Sequence, residues 1–339
     1  FLGSDQVPTS LLVLLLIRWL VFRLEFGAGM IKMRGDRSWR DLTALYYHHE
    51  TQPMPNPVSR FAHLLPKWFH RLEVLANHIV QLVLPWLLFA PQPIATVAAA
   101  AVILTQAWLV ITGNFAWLNV ITIVLAFSAV SDSALGLDIP TAATTPLWFI
   151  VVTFAVTALI LVLSWAPARN LFQKRQLMNA SFNRWHLVNA YGAFGTVTQQ
   201  RYEVIIEGTA DATVSENTDW REYEFPGKPG DPARMPPQVA PYHHRLGWLL
   251  WFLALGSGGP WFTVLLVRIL EGDPGIRKLM RVDPFDGQAP RFVRARLFSY
   301  RFATRAEKRD TGLRWIRQPV DTLVPPSALR RPAEPTGPQ

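Results

Sequence analysis

The side chains best suited to binding or catalysis fall in a polar loop, residues 32–71, between two long apolar stretches. The loop is rich in arginine, aspartate, histidine and glutamate, which can form ion pairs, hold a carboxylate or move a proton. Polar groups at a membrane boundary are costly unless they are paired or take part in function. A simple anchor does not need them, so this loop is the first candidate binding region. Its candidate ligand-binding residues are Arg40, Asp41, His48, Glu50 and Gln52.

A second set of candidate binding residues lies after residue 167, where the composition becomes that of strands. Tyr191, Arg201, Tyr202 and Glu203 could close over the first loop and hold an extended segment of another molecule. Acidic, basic and aromatic residues on strands also pair with one another across a sheet. We favour that structural interpretation, and the binding interpretation stays open.

Four polar residues on one predicted helix recur at spacings that place them on a single helical face. They are His70, Glu73, Asn77 and Gln81, at i, i+3, i+7 and i+11. A buried histidine–carboxylate pair can act as a general base, so His70 and Glu73 are the candidate catalytic residues. The same row could instead be a hydrogen-bonded seam between helices. The pattern is compatible with either a seam or a binding cavity.

The sequence predicts neither a metal site nor a cofactor. Five of the eight histidines lie within about thirty residues, but their spacings do not match HExxH or a repeated ExxH motif. The chain has no Walker loop, GxSxG elbow or dinucleotide fingerprint. It also has no cysteine, which excludes disulfides, thiolate metal sites and a cysteine nucleophile within it.

The composition indicates an integral membrane protein. Half of the 339 residues are hydrophobic and 17% are charged, whereas about 25% are charged in a soluble domain. The chain contains 14 tryptophans, a residue type that favours membrane interfaces. The net charge of +9 is interpreted as contact with anionic lipid headgroups. No aromatic RNA-binding motif or basic recognition helix indicates a nucleic-acid partner.

The predicted fold class is an α-helical polytopic membrane bundle with a C-terminal β-rich extramembrane domain. Hydropathy predicts five spans near the required length of about 20 residues. These are 10–31, 72–89, 94–111, 115–130 and 147–165.

The predicted domains follow from these spans and from the change in composition after residue 167. Strands are predicted at 201–207, 220–225 and 291–303. The apolar run 246–270 is interrupted by glycines and Pro260, and we predict an interfacial or re-entrant hairpin there. The chain begins with Phe1, so further upstream residues or a helix are expected. The predicted domains are a first transmembrane helix (1–31), the polar motif loop (32–71), a four-helix transmembrane bundle (72–166), the β-rich domain (167–324) and a disordered tail (325–339).

Six stretches of the sequence, taken in chain order, resemble motifs of the lipase maturation factor family. The resemblance is to a bacterial, specifically actinobacterial, member of that family. Two departures stand out. The chain has no cysteine, and Phe115 stands where the family pattern GNY has tyrosine. The matching stretches are RGDRSWRDLTALYYHHETQPMPNPVSRFAHLLP (34–66), EVLANHIVQLVLPWLLFAP (73–91), TGNFAWLNVITIVLAFSAVSD (112–132), LVNAYGAFGTVTQQRYEVIIEGT (187–209), WREYEFPGKPGDPARMPPQVAPYHHRLGWLLWFLALG (220–256) and RARLFSYRFATRAEKRDTG (294–312).

This resemblance implies a polytopic membrane protein that assists the folding and assembly of secreted lipases. The family's polar domain faces the lumen of the endoplasmic reticulum, which corresponds to the exoplasmic side of a bacterial inner membrane. The family is also distantly similar to the membrane fold of vitamin K-dependent gamma-carboxylase. Counting basic loop residues favours the opposite orientation, but a polar domain of this length can override loop charge.

The expected function is therefore a chaperone-like maturation or assembly factor for exported or membrane proteins, without enzymatic activity. Its expected partners are membrane lipids and a protein client or a larger membrane complex. The alternative is an integral membrane enzyme acting on a lipid, quinone or peptide at the bilayer surface. In that case His70 and Glu73 would supply the general base.

Overall fold

A computed structural model describes residues 10–115, 117–137, 145–173, 175–192 and 194–329. The chain forms two compact units. The first unit contains residues 1–46, 65–111 and 117–197, and the second contains 47–64, 112–116 and 198–339. The helices are α1 Leu11–Arg34, α2 Arg37–Arg40, α3 Leu45–Thr51, α4 Ser59–His63, α5 Lys67–Leu82, α6 Leu84–Leu87, α7 Ile94–Thr112, α8 Leu118–Ala126, α9 Leu147–Leu171, α10 Arg245–Ala254, α11 Pro260–Leu270, α12 Pro274–Arg277 and α13 Arg305–Thr311, with 3-10 turns at Phe127–Ala129 and Asp132–Leu135; the strands are β1 Ala180–Ser181, β2 Asn189–Ala190, β3 Arg201–Thr209, β4 Arg221–Tyr223, β5 Phe292–Phe302 and β6 Trp315–Ser327.

Two helices in the described part of the chain are long and apolar enough to cross a membrane, by length and composition: α7 and α9. Most apolar side chains of α9 are exposed, among them Leu147 and Val162. Such a surface suits contact with lipid and is unusual in a soluble protein. These two helices coincide with the third and fifth predicted spans.

The other three predicted spans differ from this pattern. α1 has 24 residues but carries Arg18, Arg23 and Glu25, which keep it outside the apolar set. The predicted span 72–89 is divided, because α5 ends at Leu82 and the short helix α6 follows. α8 has nine residues and continues into a 3-10 turn. The structure therefore supports a mainly helical first unit with two candidate spans.

Polar residues inside the first unit form one hydrogen-bonded seam between helices. The ammonium group of Lys32 donates to Asn77 Oδ1 (2.8 Å) and to Gln81 Oε1 (2.9 Å). The amide of Gln81 in turn donates to Glu25 Oε2 (3.1 Å). The predicted polar row on α5 is thus a structural seam at Asn77 and Gln81, joined to α1.

The same seam continues from Glu25 to the next helices. Gln106 on α7 donates to Glu25 Oε1 (2.5 Å), and Asn119 on α8 donates to Gln106 Oε1 (2.6 Å). All three side chains are buried. Because an unpaired polar group in an apolar interior is costly, this relay fixes the mutual positions of four helices.

The second unit is built on a four-stranded antiparallel sheet in the order β4-β3-β5-β6. The three predicted strands are confirmed within a few residues. β6 was not predicted, and it reaches Ser327, two residues beyond the predicted start of the tail at 325. Residues 330–339 of that tail lie outside the described part of the chain.

The two faces of the sheet have different coverings. On one face, Val204, Ile206 and Ala295 form a core with Leu250 of α10 and Leu266 of α11. The apolar run 246–270 is therefore a helical hairpin that packs onto the sheet through one side, and its contact with a membrane stays a prediction. The opposite face carries Arg201, Glu203 and Glu207 of β3, with the apolar Ile205 between them. It is called the polar face below.

The Glu25 seam can be tested by replacing Gln106 with leucine. This substitution removes the donor to Glu25 and the acceptor for Asn119, and we expect it to destabilise the protein by about 1–3 kcal/mol. The measurement is the thermal midpoint of the purified protein in detergent, followed by intrinsic tryptophan fluorescence. Leu104→Ala on the same helix is the control, because that side chain is 71% exposed. Equal midpoints for the two variants would contradict a stabilising seam.

Candidate functional site

The guanidinium of Arg201, at the start of β3, is the centre of the second unit. The residue is 1% exposed. Its Nη1 atom donates to the carbonyl of Glu50 (2.9 Å) and to that of Gln52, and Nη2 donates to the carbonyl of Pro53 (3.3 Å). Nη2 also binds the carboxylate of Glu203. Arg201 therefore attaches residues 50–53 of the polar loop to the sheet.

The loop carbonyls that Arg201 binds lie at the end of α3, where a helix leaves its last carbonyl groups without intrahelical partners. Trp251 of α10 satisfies another of them, through a bond from Nε1 to the Thr51 carbonyl (3.0 Å). A cation at this end of a helix is also favoured by the helix dipole. The C-terminal end of α3 is thus capped by side chains from β3 and from α10.

Glu203 is held between two cations. It is 1% exposed, and its second carboxylate oxygen lies 2.9 Å from the ammonium nitrogen of Lys228. Burial lowers the pKa of Lys228 from 10.5 to about 8, although Glu203 opposes this effect. The ring of Trp315 lies 5.6 Å below the Arg201 guanidinium. A buried carboxylate with two cations and an aromatic ring is a structural cluster whose members depend on one another.

Glu50 connects the loop to β5. Its carboxylate accepts a hydrogen bond from the backbone N–H of Phe302 (2.7 Å) and lies 3.6 Å from Nε2 of His63. Burial raises the pKa of the Glu50 carboxyl, and the bond from Phe302 acts in the opposite direction. The side chain therefore has a defined place at the end of the sheet.

The amide side chains of Gln52 and Asn114 connect the loop, residues 112–116 and residues 239–240. Gln52 Nε2 donates to Ser59 Oγ (2.9 Å) and to the Thr112 carbonyl (3.0 Å). Asn114 Oδ1 accepts from the N–H groups of Val239 (2.8 Å) and Ala240 (3.0 Å). Three separate parts of the sequence are joined here by two amide side chains.

His48 and Tyr202 are the remaining predicted residues of the second unit. The His48 ring stacks on Phe115 with a centroid distance of 5.6 Å. The hydroxyl of Tyr202 donates to Gln200 Oε1 (2.5 Å). Tyr202 also lines an open groove of about 420 Å³, together with Thr198, Gln199, Gln200, Ala254 and Leu255.

The other three predicted binding residues belong to the first unit. Arg40 donates to the Met33 carbonyl (3.2 Å), and Asp41 pairs with Arg37 (3.0 Å) on a mainly exposed surface. The guanidinium carbon of Arg23 lies 5.7 Å from the ring centroid of Tyr191. The structure thus groups six of the nine predicted residues in one unit, and their role in binding stays a prediction.

The candidate catalytic pair lies in the first unit and is well ordered by its neighbours. His70 Nδ1 is 2.8 Å from Glu73 Oε2, and the indole N–H of Trp108 donates to Glu73 Oε1 (2.7 Å). His70 is 2% exposed. The arrangement is that of a buried histidine–carboxylate pair with a hydrogen bond on each carboxylate oxygen.

Met54 is a structural residue that the sequence did not indicate. It is fully buried against two glycines of the second unit. A Cβ atom on Gly227 would lie 2.5 Å from Met54 Sδ, and one on Gly247 would lie 2.8 Å from it. Both glycines are therefore needed for close approach of the loop. Lys228 was also missed, because a lysine in a turn sequence gives no sign that it is buried.

Replacing Arg201 tests whether this cluster stabilises the second unit. We expect Arg201→Met to cost about 3–5 kcal/mol, because it leaves Glu203 with one cation and removes the donor to three carbonyls. Arg301→Met is the matched control, since Arg301 pairs with Glu307 on the surface and such pairs add little stability. Thermal unfolding in detergent and the yield of folded protein are the measurements. Similar losses in both variants would contradict the assignment of Arg201 as the central residue.

Comparison with known proteins identifies the family to which these features belong. Two family models match the chain: the lipase maturation factor transmembrane domain over residues 2–137, and the lipase maturation factor C-terminal domain over residues 187–325. The boundary between these matches lies outside the sheet of the second unit. No solved structure matches the chain.

Curated relatives match nearly the whole chain. Human lipase maturation factor 1 is 40% identical over 96% of this chain and 62% of its own length. The bovine protein of the same name is 40% identical over 94% of this chain and 62% of its own length. Human lipase maturation factor 2 is 27% identical over 97% of this chain. The chain spans about six-tenths of the length of these relatives. With both domains matched in order, this membrane protein belongs to the lipase maturation factor family.

Proposed function

We propose that this protein is a membrane-embedded maturation factor that assists the folding or assembly of an exported lipase. The observation that carries the proposal is the 40% identity to human lipase maturation factor 1 over 96% of this chain. The chain also contains regions that match both family domains.

The geometry of the second unit favours a rigid surface for contact with a client protein over a reaction centre. Arg201, Glu203 and Lys228 bind one another or backbone carbonyls, so their charges are used to hold the fold. A client protein would then meet a rigid surface whose shape does not need to be formed during binding. Rigid surfaces lose less conformational entropy on association.

The buried pair His70–Glu73 supports the second candidate function, an enzyme that acts at the bilayer surface. Its 2.8 Å contact is that of a base oriented by a carboxylate. A general base needs the carboxylate charge, whereas a structural role needs only hydrogen-bonding groups. Replacing Glu73 with glutamine separates the two, because the amide keeps the size and an acceptor for Trp108.

The proposed function is tested by expressing the chain together with a panel of secreted lipases in cells that lack their own maturation factor. We expect the wild-type chain to raise the activity per mass of at least one secreted lipase. Glu73→Gln should keep this effect, and Arg201→Met should lose it through misfolding. No gain with any lipase would contradict the proposed function. Loss of the gain in a well-folded Glu73→Gln protein would favour the enzyme.

The same proposal places the second unit on the exoplasmic side of the cell inner membrane, with several spanning helices in the first unit. The absence of cysteine makes this testable, because one introduced thiol is the only one present. We expect Thr213→Cys, in an exposed loop of the second unit, to react with a membrane-impermeant maleimide on intact cells. Lysed cells give the maximum labelling for comparison. Protection that disappears on lysis would place the unit in the cytoplasm and contradict an exported client.

A further inference from the structure

Three arginines of the second unit lie against aromatic rings on the polar face of the sheet. The guanidinium of Arg294 is 4.2 Å from the ring centroid of Trp220. Those of Arg296 and Arg317 are 4.8 Å and 5.0 Å from the ring centroid of Phe298. These cation–π contacts hold each guanidinium beside a ring.

Two of these three arginines are neutralised by acids of the same unit. Arg294 pairs with Glu207 on β3 at 2.5 Å. Arg317 binds both carboxylate oxygens of Glu222, at 2.9 and 2.6 Å. The second pair joins β6 to β4, the two edge strands, across this face. The charges of Arg294 and Arg317 are therefore compensated within the unit.

Arg296 is different from its neighbours. The residues directly opposite it are Ile205 on β3 and Thr322 on β6, neither of which carries a charge. Among the residues that the structure describes (10–115, 117–137, 145–173, 175–192 and 194–329), no hydrogen bond or ion pair involves the Arg296 side chain, and the residue is half-buried. The third acid of this face, Glu203, is already held by two cations. Arg296 therefore adds a positive charge that this face does not neutralise.

A stacked guanidinium still has its N–H donors free at the edge of its plane. That edge matches the two oxygens of a carboxylate, which bind in a bidentate manner. Partial burial lowers the effective dielectric constant around the cation and strengthens its attraction for an anion. The arrangement around Arg296 is thus prepared for one anion with planar geometry.

We propose that Arg296 is a subsite for a side-chain carboxylate in an acidic segment of the client protein. This inference rests on the proposed function for the nature of its partner. Glu207 and Glu222 lie on the same face of the sheet, so a single carboxylate fits its charge pattern better than a phosphate with greater negative charge or an anionic membrane surface.

The experiment measures binding of a fluorescein-labelled decapeptide of alternating glutamate and alanine to the full chain in an uncharged detergent, by fluorescence anisotropy. We expect Arg296→Gln to weaken binding by about tenfold or more, the effect of losing a hydrogen-bonded charge pair. Arg296→Lys should be intermediate, since it keeps the charge without the planar donors. Arg309→Gln is the matched control. Arg309 is exposed in the last turn of α13, and its replacement changes the net charge by the same amount.

Three results would overturn the subsite. One is equal affinity for Arg296→Gln and Arg309→Gln; another is equal binding of a glutamine–alanine peptide. The third is displacement of the peptide by inorganic phosphate at concentrations where acetate has no effect, which would indicate a phosphate site. Tryptophan fluorescence melting verifies that Arg296→Gln is folded, since Arg317 still covers Phe298.

This peptide experiment contains no lipase and is therefore independent of the maturation assay. Failure of the peptide result removes the carboxylate subsite and leaves the maturation function in place. Failure of the wild-type chain to raise lipase activity removes the maturation function, whatever the peptide result.

Discussion

The second unit depends on the cost of burying one guanidinium. Arg201 is almost fully excluded from solvent, and a buried cation must find acceptors within the protein. It finds them in the carbonyls at the end of α3 and in Glu203. The carbonyls lie about 150 residues before Arg201 in the sequence, so satisfying the charge fixes residues 50–53 on the sheet. The closeness of Met54 to two glycines is a consequence of this attachment.

In the first unit, too, buried charged groups bind partners within the protein, and these partners are amide side chains. Its helices are apolar, yet Lys32 and Glu25 are buried among them and are joined through amide side chains. In an apolar environment each polar group must be satisfied within the protein, so such groups act as position markers between helices. This explains why Asn77 and Gln81, two members of the predicted polar row on α5, form structural hydrogen bonds.

The sequence predicted those features that depend on local pattern. Strand composition identified β3, partial alternation identified β5, and long apolar runs identified α7 and α9. β6 was missed because its prolines argue against a strand, although an edge strand tolerates them where no donor is needed. The run 246–270 was predicted as an interfacial or re-entrant hairpin, and its packing onto the sheet was not predicted. Hydropathy measures the preference for leaving water and does not identify which apolar surface receives the residue.

Partner choice over long sequence distances was not predictable, and the candidate site depends on it. Arg201 and Glu50 were selected by residue type, but only the fold shows that one binds the backbone carbonyl of the other. Arg40 and Asp41 were selected on the same grounds and form local contacts in the first unit. Charge content alone therefore does not separate structural from functional residues. The separation comes from accounting for each charge in the structure: a buried ion with all partners supplied supports the fold, whereas a half-buried arginine without a counter-ion is available to a partner molecule.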